Sequence, residues 1–370
     1  MDRTFVCVAV CVLVFGYTVL YLNTHWAPKQ YPRGWNRRVD TPEEDIDIVY
    51  TWVDGEDPVW KKKRDAVRAR VSPQTLDVDT DEPTNADNRY IQIEELRYSL
   101  RSVYTHMPWI RYIHIVVDDD QVPACVDCSH PKIRIVRHCD IFPDKTHLPT
   151  FNSQSIETHL HRIPGLANRF FYFNDDTFVG CPTTPDDFIS PDGKPYFFYN
   201  WNTFIPHWYK FGSNKNVHQL CYRNNTCFIH SIHPKQRVFS QWHQPILLDK
   251  RVIQDIEDMY PDIFRRNSMY PFRSPDQFHI TALVNVLSYE MGYKTLRYQL
   301  SNALFTRPTE FGMYNYTRLI MLLNRIYKDM PVFFCLNNFH GTSIYERLAT
   351  RFLNAYFPDP CPYEVVSDSY

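Results

Sequence analysis

The chain has little glycine, 10 in 370 residues, and no excess of either charge, with 40 Lys and Arg against 42 Asp and Glu. A formal net charge of −2 argues against a general nucleic-acid binder, which carries a basic excess. Internal repeats and low-complexity tracts are missing too, which leaves one large globular domain or two small ones. What the chain does have is aromatic surface. Its 25 Tyr, 25 Phe and 8 Trp predict a ring-rich core and faces on which planar bases or sugars can stack.

Only one long apolar run occurs. Residues 5–22 carry no charge and reach the minimum length for a bilayer span. Leu20-Tyr21-Leu22 offers no small-residue cleavage site, so an uncleaved signal anchor is expected. A short tail (1–4) precedes it and a polar, basic stem (23–44) follows. Lys29, Arg33, Arg37 and Arg38 after the run, against Arg3 before it, favour a cytosolic body. Eight cysteines beyond the run, with Cys125/Cys128 and Cys221/Cys227 closely spaced, and sequons at Asn224 and Asn315 favour an oxidising lumen. Weighing the second pair of signals above the first predicts a single-pass type II protein of the Golgi or secretory pathway. Residues 45–370 would then be lumenal, glycosylated and disulfide-bonded.

Ile46, Ile48 and Tyr50 alternate with Asp47, Val49 and Thr51 in a strand that stops at Asp54-Gly55. A charged helix is predicted over 56–70 and a polar loop over 72–88. Leu96, Leu100, Val103 and Met107 recur at helical spacing ahead of Pro108. Strands are predicted at 112–117 and 133–136, a helix near 155–162, and a further strand ending at Asn174. That order gives a parallel or mixed sheet covered by helices. Residues 195–242 show no clear period. From Pro245 the pattern is helical, over 246–264, 277–291, 316–327 and 343–356, and one composite fold is expected.

Several runs could carry chemistry. Phe170-Phe171-Tyr172-Phe173-Asn174-Asp175-Asp176 reads as a buried strand that releases two carboxylates at its C-terminal end, where open α/β sheets bind ligands. Asp175 and Asp176 either hold a divalent cation against a pyrophosphate or form an Asn-Asp turn. Where the first strand ends, a nucleotide could stack on Trp52 and be held by Thr51 or Asp54; the competing reading is a core Trp and a turn Asp. His243, before Pro245, reads as a helix-entry histidine kept neutral by the helix dipole, either a base on a hydroxyl or a surface residue. Arg273, also before a predicted helix, either clamps a phosphate or pairs with Asp276. Phe334-Cys335-Leu336-Asn337-Asn338 is another short strand ending in polar groups. A rival of a different class is a structural zinc knot built from Cys125, Cys128, His130, His138 and Cys139.

In order, these runs resemble the Stealth family of sugar-phosphate transferases. Its members include bacterial capsule polysaccharide phosphotransferases and the catalytic subunit of the animal lysosomal-enzyme N-acetylglucosamine-1-phosphotransferase. Residues 46–55 resemble the first block. Glu94-Glu95-Leu96-Arg97, through Leu148-Pro149-Thr150-Phe151-Asn152-Ser153, to Asn174-Asp175-Asp176 resembles the second. His243-Gln244-Pro245 through Arg273 resembles the third, and Phe334-Cys335-Leu336-Asn337 the fourth. The chain departs from the family pattern at Gln92-Ile93, where Asp-Asn is typical, and at Asn338, where an acid is common.

The resemblance implies an α/β, Rossmann-like nucleotide-sugar transferase core with a helical C-terminal half. The implied reaction moves a sugar-1-phosphate, of the N-acetylhexosamine type, from a UDP-sugar to a hydroxyl of a glycan or glycoprotein acceptor, with UMP leaving. Asp175 and Asp176 would hold Mg²⁺ or Mn²⁺. His243 would be the base, with Asp175 and Arg273 as further catalytic groups, and Thr51, Trp52, Asp54, Arg97, Asn152 and Asn337 would contact the donor. Strand-end acids serve an ordinary glycosyltransferase equally well, and a glycan-binding protein without turnover is the third reading.

Overall fold

A computed structural model describes residues 26, 44–71, 94–199, 204–205, 217–234, 238–239, 243–298, 303–306, 316–336 and 343–365. The apolar run 5–22, the loop 72–88, Gln92, Ile93, Asn315, Asn337 and Asn338 lie outside the described residues. The chain forms β1 (Ile46–Thr51), α1 (Pro58–Arg68), α2 (Glu95–His106), β2 (Ile113–Val117), β3 (Ile133–Arg137), α3 (Ser153–Glu157), β4 (Arg169–Asn174), β5 (Thr177–Val179) and β6 (Tyr196–Tyr199). Beyond these come α4 (Val217–Ile232), β7 (Ile246–Asp249), α5 (Lys250–Met259), α6 (Pro261–Ser268), α7 (Ile280–Glu290), β8 (Thr295–Tyr298), β9 (Ala303–Thr306), α8 (Tyr316–Asp329), β10 (Phe333–Leu336) and α9 (Ser343–Tyr356).

The main sheet has the order β3-β2-β1-β4-β7. Its first four strands are parallel, and β7 runs antiparallel to β4. The parallel part has the Rossmann order, which reverses between β1 and β4, so the crevice beyond their C-terminal ends is a topological switch point. Both faces are covered, which is why these strands read as nearly continuous apolar runs. Val49, Val116, Phe170 and Tyr172 pack one face against α5, α6 and α7 through Ile256, Phe264 and Leu283. Ile48, Tyr50, Ile115, Phe171 and Phe173 pack the other against Leu96, Leu100 and Val103 of α2. A separate apolar cluster joins β10, α8 and α9 through Phe334, Leu323 and Phe352, with Phe178 of β5.

The expected composite fold is what forms, because the C-terminal half supplies β7 to the main sheet and β10 to β5. Two local readings change. The helix predicted from 246 begins as a strand: Ile246-Leu247-Leu248 is buried along its length, and a short apolar run of that kind has no period to separate strand from helix. The helix proper starts after Asp249, whose side chain accepts from Arg251 N. The aperiodic stretch 195–242 contains α4, whose apolar positions are diluted by His, Asn and Cys.

Among the described residues, chemistry expected of a lumenal protein is not found. Cys125, Cys128 and Cys227 are free thiols, so neither close pair forms a disulfide. Asn224, the first sequon, lies within α4, and its Nδ2 donates to Pro275 O and Gln277 O, both at 2.8 Å. A glycan would need that nitrogen. Among the described residues no helix is long and apolar enough to cross a membrane. Trp26, in the expected stem, donates from Nε1 to Asn324 Oδ1 of α8 at 3.0 Å.

Candidate active site

Strand direction builds the site. Thr51 and Asn174 are register partners at the ends of β1 and β4. Because β7 is antiparallel to β4, the residues before β7 arrive where those after β4 depart. The imidazole of His243 there lies between two groups, with Nε2 2.7 Å from Asn174 Nδ2 and Nδ1 3.0 Å from Cys335 Sγ. Cys335 reaches this point because β10 runs antiparallel to β5, with Cys335 opposite Thr177. Leu336 N donates to Asp176 O at 3.0 Å and fixes the β4–β5 turn against β10. Donor atoms of Asp176, His243 and Cys335 consequently lie within 4.8 Å of one another. Among the described residues this is the only group of three or more such side chains placed to share an ion.

Negative charge accumulates beside it. Burial, then Asp176 and Glu95, raise the carboxyl of Asp175 well above the usual carboxylate range. Asp176 Oδ1 is inaccessible to solvent and has no hydrogen-bond partner. Leaving a buried carboxylate oxygen unpaired is costly, and a cation would offset that cost. Imidazole, thiol and carboxylate together fit a divalent transition ion. Of the two acids expected to hold the ion, Asp176 belongs to this group, and Asp175 has Asp176 and Glu95 as electrostatic neighbours.

A second set of groups adjoins the first. Arg273 Nη2 donates to Ser153 Oγ at 3.0 Å, at the start of α3. Glu157, at the other end of α3, accepts from Tyr172 OH at 3.1 Å, and that hydroxyl lies 3.1 Å from Thr51 Oγ1. Burial pushes Glu157 up to about 7, although Arg273 pulls the other way. Burial and the charges of Arg273 and His243 push His279 down to about 3, so that imidazole is neutral at physiological pH. One ring therefore senses both Arg273 and His243, which ties the two ends of the third sequence block to one locality.

Not every expected residue takes part as expected. His243 is followed by β7 instead of a helix, so the helix-dipole argument for its basicity does not apply. Asp276 is exposed and accepts from Tyr270 OH at 3.4 Å, so it is not the structural partner of Arg273. Trp52 packs partly buried against the core, and Asp54 sits in a turn with Oδ1 accepting from Glu56 N at 2.9 Å. Gln121 clamps the Asp54 backbone through both its N–H and its carbonyl. Asn152 is fully buried, accepts from Gln154 N and donates to Tyr270 O and Gln277 Oε1. It caps the start of α3. Arg97 bonds Glu94 and Glu364 at the C-terminal edge of the domain. Asn337 lies outside the described residues. The alternative zinc knot does not assemble: His138 is buried near Asp118 and Asp119, and His130 packs edge-on against Tyr363 at 4.9 Å.

The sequence alone assigns no role to Cys335, Glu157, His279 or Glu95. Cys335 and Glu95 lay inside quoted blocks. Glu157 and His279 carried no sequence signal, because their properties arise only from burial against distant residues.

Residues 44–72 match Stealth protein CR1, conserved region 1, and residues 89–197 match Stealth protein CR2, conserved region 2. The chain belongs to the Stealth family. His243, Arg273 and Cys335 of this Stealth protein lie beyond both matched regions. An exopolysaccharide phosphotransferase of Streptomyces coelicolor is 36% identical over 325 residues, covering 86% of this chain and 57% of the relative. The exopolysaccharide phosphotransferase CpsY of Mycobacterium tuberculosis is 32% identical over 337 residues, covering 87% and 58%. The chain thus spans just over half the length of these relatives. Among solved structures, the galactosyltransferase LgtC in complex with donor and acceptor sugar analogues aligns with TM-score 0.41 and 11% identity, covering 87% of this chain and 98% of that one. Mouse xyloside xylosyltransferase 1 aligns with TM-score 0.35 and 10% identity, covering 80% and 99%.

These relatives correct the expected location. They are bacterial exopolysaccharide enzymes, and bacteria have no Golgi. That finding overturns the Golgi-lumenal, type II expectation.

Proposed function

We propose that this Stealth protein transfers a sugar-1-phosphate from a UDP-sugar to a hydroxyl of a polysaccharide acceptor. The acceptor oxygen attacks the β-phosphorus, the bond from that phosphorus to the bridging oxygen breaks, and UMP leaves. The observation that carries this reading is the convergence of Asp176, His243 and Cys335 with Arg273 and Glu157 at the switch point of the sheet.

Arg273 meets the donor's phosphates, because a planar guanidinium offers several donors to phosphate oxygens at once. Glu157 takes the proton of the attacking hydroxyl, since a carboxyl held at about 7 is half ionised at neutral pH and a base is most effective there. It replaces His243 in that role because both ring nitrogens of His243 are already engaged, by Asn174 and Cys335. His279, neutral, adds no competing charge beside Arg273. A divalent ion held by Asp176, His243 and Cys335 would supply charge neutralisation of the pyrophosphate.

A screen of UDP-sugars with polysaccharide acceptors, scoring the released nucleotide, tests the proposal. UMP is expected. Release of UDP would mean attack at the anomeric carbon, and no release with any donor would mean a binding protein.

A further inference from the structure

Resting on the reading of this edge as the active site, we infer that Cys335 is an ion ligand, and that Asp176, His243 and Cys335 take a borderline-soft divalent cation of the zinc class in preference to magnesium. Magnesium demands an octahedral shell of hard oxygens and sheds its water reluctantly. Here two of the three converging donors are an imidazole nitrogen and a sulfur, the ligand types that zinc accepts in tetrahedral sites with a fourth position left open.

Three further features fit. Asp176 Oδ1 is buried and unpartnered, so a ligand oxygen stands ready without losing a bond. Cys335 is fully buried, where a thiolate needs a cation beside it. Asn174 lies against the far nitrogen of His243. With Nδ1 on the ion, Nε2 carries the ring proton and donates it to the amide oxygen of Asn174. That requires only that the amide's oxygen and nitrogen exchange places, and the resulting outer hydrogen bond fixes the ring. Binding then releases one proton, that of the Cys335 thiol, to solvent.

Cobalt(II) is the probe. Added to the chelator-stripped chain, one equivalent should produce the near-ultraviolet sulfur-to-cobalt charge-transfer band that oxygen and nitrogen ligands alone do not give. Equimolar Zn²⁺ should displace it, and a large excess of Mg²⁺ should not. Cys335→Ser should abolish the band and weaken zinc binding at least about tenfold. The double variant Cys125→Ser/Cys128→Ser should retain the band, which excludes those thiols as its source. Since Cys335 is fully buried, the half-buried His243→Gln provides a second check, in which zinc affinity should fall by a similar factor. Cobalt bound without the band, a band that survives Cys335→Ser, or displacement by equimolar Mg²⁺ would overturn the inference. The band without UMP release from any donor would keep the ion site and defeat the transferase reading. UMP release supported by Mg²⁺ alone with no band would do the reverse.

Discussion

Glu157 lies between opposing influences: burial raises its carboxyl to about 7, while Arg273 and the hydroxyls of Tyr172, Ser153 and Thr281 favour its charged form. A group that must be ionised to accept a proton should make the rate rise with pH through about 7 and level off above. Glu157→Gln should lower kcat by about 10²–10⁴-fold, as expected for loss of a positioned base, and remove that limb of the pH–rate profile. Retention of the limb in the variant would return the role to another group. Such a residue is hard to see in sequence, because Arg273, Tyr172 and Glu157 come from separate segments and only tertiary burial moves the titration. Asp176 stands out in sequence for the opposite reason, at the end of an apolar strand run, whereas the sequence reads His243 as a helix entry and the structure sets it before β7. Asn152 lies in a matched block, and what the motif does not display is its structural load: Oδ1 caps α3 while Nδ2 donates to Tyr270 O and Gln277 Oε1.

Within β1, Asp47 is a charge in the middle of a buried strand. Its two oxygens accept from Arg111 Nε and Nη2, His114 Nε2, Tyr112 N and Ala167 N, at 2.7 to 3.1 Å. Burial alone would raise its pKa, but the bonds from Arg111, His114 and Ala167 outweigh it and hold the carboxyl well below the usual range. The folded state therefore binds this proton less readily than the unfolded chain. The stability involved is fully present above the unfolded value near 4 and is lost as pH falls below it. Asp47→Ala should destabilise by about 3–5 kcal/mol, because it leaves Arg111 and His114 facing an emptied site. It should also flatten the acid limb of the melting temperature against pH. An unchanged melting temperature at neutral pH would contradict this. In sequence Asp47 is one of the residues that alternate with Ile46, Ile48 and Tyr50 along a strand. The sequence does not reveal that Arg111 and Ala167 close over it, since both approach from loops. The reading of β7 as helix failed for a related reason: Ile246, Leu247 and Leu248 are buried whichever element they form, and pairing with β4 decides.

At the scale of the whole molecule, four sequence blocks far apart in order are brought to one edge by the parallel pairing of β1 with β4 and the antiparallel pairings of β7 with β4 and β10 with β5. That convergence, with Arg273 set against α3, is what a donor pyrophosphate needs: one cationic side chain, one ion position and one base. Arg273→Ala should weaken UDP-sugar binding at least about tenfold while the fold is retained, since Arg273 is half-buried and makes one side-chain hydrogen bond, to Ser153. Calorimetric titration with the donor, alongside a thermal melt, checks both halves of that statement. The most direct measurement follows the donor's β-phosphorus. With a UDP-sugar carrying radioactive phosphorus at that position, the label should appear in the polysaccharide acceptor as a phosphodiester while unlabelled UMP accumulates. Label remaining in released UDP, with an unphosphorylated glycoside as the other product, would contradict sugar-phosphate transfer at this site.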